Sequence, residues 1–63
     1  MNGKYKVGPL YMIVNLTDTE RQRLEQSDTK IRWIECARKM DIAVKGTEEE
    51  ADEILRIIGR GTK

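Results

Sequence analysis

The chain contains no histidine and no phenylalanine, and it has only one cysteine and one proline. Without histidine, the commonest general base and metal ligand near neutral pH is missing. The single thiol, Cys36, can form neither an intramolecular disulfide nor a multi-thiolate zinc site. A lone cysteine also fits a reducing compartment. No apolar run approaches the roughly 18 residues of a membrane span. Lys4 and Lys6 precede an apolar segment of about seven residues, at the short limit for a signal-peptide core, and no small-residue cleavage site follows it. The expected setting is cytoplasmic. Charge of neither sign dominates, since 12 basic residues stand against 11 acidic ones for a net +1. That balance gives no global pull towards nucleic acid or an anionic membrane.

What is present is short and polar. Sixty-three residues make one domain at most, and a chain of this size buries only about 60% of the surface its unfolded form exposes. Apolar residues make up 38% and charged residues 37%, enough hydrophobe for one small core. Residues 1–4 and 60–63 are expected to fray. No internal repeat is visible.

The strongest β signal is Leu10-Tyr-Met-Ile-Val-Asn-Leu16, which follows the turn pair Gly8–Pro9. Tyr5 and Val7 either extend this strand or return as a short hairpin arm. A strand needs a partner for its backbone groups, and the other short apolar β-type run is Ile42-Ala43-Val44. Either these two segments pair within the chain, or Leu10–Leu16 pairs with another chain.

Thr17-Asp18-Thr19-Glu20 matches the capping box, with Thr followed three residues later by Glu. It predicts a helix over about 18–26, with Leu24 its only apolar side chain. Ser27-Asp28-Thr29 reads as a second cap. Beyond it Trp33, Cys36, Ala37 and Met40 follow i, i+3, i+4, i+7 spacing, which predicts a helix over about 29–40. One long helix from Thr17 to Met40 is the alternative. Thr47-Glu48-Glu49-Glu50 is a second capping box, opening a helix over 47–58 with Ala51, Ile54, Leu55 and Ile58 on one side. Gly59 ends it, with Arg56 and Arg60 near the negative end of its dipole. The expected fold is therefore α+β. It is a small single domain with one main strand at 10–16 and a short strand at 42–44, packed against two or three helices.

No constellation of carboxylates, lysines and thiol has interpretable catalytic spacing. The chain is expected not to be an enzyme and to need neither cofactor nor metal. The acidic cluster Glu48, Glu49, Glu50, Asp52 and Glu53 could dock on a basic partner. Plain helix design is the preferred account, because acids belong in the first turn and Asp52→Arg56 is a favourable i, i+4 pair. Cys36 reads as a small buried hydrophobe, with no helix N-terminus nearby to activate it. Lys30, Arg32, Arg38 and Lys39, with Arg21 and Arg23, could contact phosphates or simply form a solvated face. Five residues are candidates for partner contact: Tyr11 and Ile13 on the strand, Ile31 and Ile57 off the main stripes of their helices, and Trp33, which is either an interface anchor or a core residue.

The order strand, capped turn, helix, helix resembles the ribbon-helix-helix dimers of the Arc and MetJ type. The resemblance covers roughly residues 10–40 and rests on Met12-Ile-Val-Asn-Leu-Thr-Asp18 followed by Leu24. It implies a two-chain ribbon with alternate side chains in the DNA major groove. The outward set would be Tyr11, Ile13 and Asn15, or else Leu10, Met12 and Val14. Neither set contains Arg or Lys, and residues 42–63 have no counterpart in the minimal fold. The expected function is non-enzymatic: a small regulatory or inhibitory protein that binds a larger protein, with a homodimer through strand 10–16 possible. A dimeric DNA-binding regulator is the alternative, and membrane binding is not expected.

Overall fold

The computed structural model describes residues 4–38 and 40–60. Its elements are β1 (Lys4–Val7), β2 (Leu10–Ile13), α1 (Asp18–Gln26), β3 (Arg32–Glu35), β4 (Ile42–Lys45) and α2 (Glu48–Ile58). The strands form one antiparallel sheet in the order β1-β2-β4-β3. The architecture is α+β, but the expected pair of strands is a four-stranded sheet carrying two helices.

Three local causes explain the difference. Gly8 takes a left-handed φ of 60° ahead of Pro9, so the two-residue loop closes a tight hairpin and β1 returns along β2. Asn15 takes φ 60°, a conformation its short polar side chain tolerates. The expected strand 10–16 therefore leaves the sheet after Ile13, and the Leu16 amide donates to the Met40 carbonyl at 2.8 Å. The described residues of 29–40 form no helix. Ser27 closes α1 from behind, its hydroxyl donating to the Leu24 carbonyl at 2.7 Å, and Thr29 accepts from the Ile31 amide at 3.2 Å. The supposed second cap is thus a helix stop, and Arg32–Glu35 pairs with β4 instead.

β2 is paired on both sides, by β1 and by β4. No open edge remains along Tyr11–Ile13, which removes the basis for a homodimer through strand 10–16. The ribbon-helix-helix arrangement goes with it, since that fold needs both the free strand and a helix in 29–40. Lys4 and Arg60, expected to fray, are both anchored, as described below. Residues 1–3 and 61–63 lie outside the described residues.

Exchanging β1 with β3 and β2 with β4 leaves strand order and senses unchanged. Each hairpin is followed by a helix opened by the same box, at Thr17/Glu20 and at Thr47/Glu50. The chain is thus a ββα unit used twice, about a pseudo-two-fold axis through the Met12–Ala43 pair. Both helices lie on one side of the sheet. There Ile13, Ile42 and Val44 pack with Leu16, Leu24, Ala51, Ile54, Leu55 and Ile58 into a single core.

The second box is exposed to a simple test. Gly46 precedes it, and a Cβ placed there would collide with the Glu50 carboxylate, which accepts from the Thr47 amide at 2.9 Å. Gly46→Ala should displace that carboxylate and, like Thr47→Ala, lower stability by about 0.5–2 kcal/mol. Urea denaturation of the double variant should show less than the summed loss, because both changes break one unit.

Candidate binding surface

Strand register sorts the sheet into rows, because paired residues point to the same face. Lys4, Ile13, Ile42 and Glu35 form one row on the helix side, and Lys6, Tyr11, Val44 and Trp33 form another. Tyr5, Met12, Ala43 and Ile34 form a row on the opposite side. Beside it lies a second, with Val7 and Leu10 on β1 and β2 and the pair Lys45–Arg32 on β4 and β3.

The helix side is closed at both edges by ion pairs. At the β1 edge, the Lys4 ammonium pairs with Glu48 at 3.1 Å and with Asp52. The hydrogen bond to Asp52 is the main cause holding the Lys4 pKa above its ordinary value, against an opposing effect of burial. At the β3 edge, Glu35 pairs with Arg21 of α1. Arg60 donates to Glu20 at 2.7 and 2.9 Å and to the carbonyls of Val14 and Asn15 at 3.2 and 2.9 Å. That guanidinium is the first cause of the lowered Glu20 pKa, again against desolvation. The acidic cluster is largely consumed by structure. Glu48 and Asp52 hold Lys4, Glu50 caps α2, and Glu53 accepts from Arg56 at 3.2 Å. Arg56 thus takes Glu53, three residues away, and Asp52 goes to Lys4.

The opposite side carries no described helix. Tyr5 is 52% exposed, Val7 54% and Ile34 46%, while Met12 and Leu10 are half-buried. Ala43, between Met12 and Ile34 in that row, is only 2% exposed. The Cys36 thiol contacts the Met12 sulfur at 3.9 Å, adding soft, polarisable surface. An antiparallel sheet with one solvated face ordinarily turns polar residues towards water. Here the two charged residues among those rows are Arg32 and Lys45. They stand directly opposite each other, both exposed, and neither makes an ion pair among the described residues.

The five expected contact residues all belong to the other side. Ile13 is fully buried in the core, and Tyr11, Ile31, Trp33 and Ile57 are partly buried and packed against it. The apolar residues that face outward, Tyr5, Val7, Leu10, Met12 and Ile34, were not among the candidates. Their signal was the period-2 alternation of Lys4-Tyr5-Lys6-Val7, and the Leu10, Met12 set named in the ribbon comparison. Among the expected phosphate contacts, Arg21 and Arg23 are engaged with Glu25 and the Ile58 carbonyl, and Lys39 lies outside the described residues. No group of three or more potential metal ligands occurs among the described residues, and no described helix is long and apolar enough to cross a membrane. No protein-family model matches the chain, and no curated protein or solved structure matches it either.

Proposed function

We propose that the protein is a non-enzymatic binding module that regulates or inhibits a larger protein by docking it on the uncovered face of the sheet. The observation that carries this reading is the outward row Tyr5–Met12–Ala43–Ile34, with Val7 and Leu10 beside it. Contiguous apolar surface on a small protein has a free-energy cost in water that burial against a partner relieves. The unpaired Cys36 suits a cytoplasmic setting.

The test is affinity capture from a lysate of the native host, run with the wild type beside the double variant Val7→Thr/Ile34→Thr. Both replacements keep β-branching and lie at exposed positions, so denaturation midpoints should agree within about 0.5 kcal/mol of stability. Proteins retained by the wild type should be missing from the variant. Identical retention by both overturns the reading.

A further inference from the structure

We infer that the element received by this face is an amphipathic helix bearing carboxylates, which Arg32 and Lys45 engage together; this rests on the docking reading above. Like charges placed directly opposite on neighbouring strands repel, and such a pair destabilises a sheet. Arg32 and Lys45 hold that arrangement in register, with no described acid to neutralise them. They stand beside the apolar row Tyr5–Met12–Ala43–Ile34, where an anion arriving on a partner would be partly desolvated and its attraction strengthened.

Dimensions select the kind of partner. Four strands about 4.8 Å apart and four residues long at about 3.4 Å each give a flat footprint of roughly 19 by 14 Å. A second copy stacked face to face would bring two Arg32–Lys45 pairs into one interface. A single helix, about 10–12 Å wide, fits the footprint and crosses all four strands in about 13 residues. Apolar anchors at i, i+3, i+4 and i+7 would lie on Tyr5, Met12 and Ile34, with acids on the flank beside Arg32 and Lys45. A nucleic-acid strand is the poorer fit. Successive bases need aromatic platforms, and Tyr5 is the one aromatic residue of these outward rows, Tyr11 and Trp33 lying on the helix side.

The probe is a displayed library of 14-residue peptides with helix-forming backbones and randomised apolar and charged positions, selected on the intact chain. Enriched peptides should combine a helical apolar stripe with Asp or Glu on one flank. Their affinity should fall about tenfold or more for Arg32→Glu/Lys45→Glu, and Lys-for-Glu versions of the same peptides should prefer that variant to the wild type. Enriched peptides that lose binding on Val7→Thr/Ile34→Thr but ignore the charge reversal overturn the helix-and-acid assignment while leaving the docking face standing. Selection of no acidic helical peptide overturns it as well, and indifference to both variants removes the face itself. Submicromolar binding of random single-stranded RNA, steeply salt-dependent and lost on charge reversal, would replace the helix by a phosphate backbone.

Discussion

Ile54→Ala should remove about 2–5 kcal/mol of stability, the range for truncating a buried isoleucine. Ile54 is fully buried, among the largest side chains of the core. A chain of 63 residues has a total stability on the order of 0.05–0.15 kcal/mol per residue, so the loss is a large part of the whole. Chemical denaturation followed by circular dichroism should show the midpoint collapse with the slope unchanged. An unaltered midpoint would mean that α2 presents a different face to the sheet.

The second large effect belongs to Arg60→Ala. Its guanidinium joins the end of α2 to Glu20 in α1 and to the two carbonyls where β2 leaves the sheet. Removing it leaves the Glu20 carboxylate, mostly shielded from water, with the Thr17 amide as its remaining charge-stabilising contact. Bonds to charged groups contribute about 1.5–3 kcal/mol, and a loss of that size is expected. The same pair sets an acid response. The Glu20 pKa is lowered in the folded state from 4.5, so its stabilisation is complete above that value and disappears as pH falls through the folded pKa. The wild type should therefore lose stability below pH 4.5 more steeply than Arg60→Ala. Parallel acid-unfolding curves for the two proteins would dismiss the linkage.

Local chemistry was legible where a helix end needs particular side chains. Thr17 and Glu20, then Thr47 and Glu50, announced both helices. The end of α2 was equally plain. Gly59 takes φ 96°, while its amide reaches the Arg56 carbonyl and that of Arg60 reaches Leu55, the paired closure that favours glycine. Strand β1 was legible only as one of two alternatives, the hairpin arm through Tyr5 and Val7, and β3 was not legible, for a reason specific to each. In β1 the residues facing the helices are Lys4 and Lys6, so its apolar residues point away from the core and a rule of hydrophobic inside misplaces them. In β3 the spacing of Trp33, Cys36, Ala37 and Met40 imitates a helix. Trp33 alone of the four lies in the strand, and the other three belong to the connection that follows. The candidate surface was hidden by the same inversion, because a buried sheet face is sought in its own core and an uncovered one is not.

Two like units meeting across a central antiparallel pair are what a homodimer of half-length chains would build. Tied into one polypeptide, the second unit is supplied at an effective concentration on the order of millimolar for a short connection, however dilute the protein becomes. Completion of the sheet is then a first-order event with no dissociation constant of its own. Dilution cannot split the sheet, and its melting temperature should not follow protein concentration as that of an obligate dimer does.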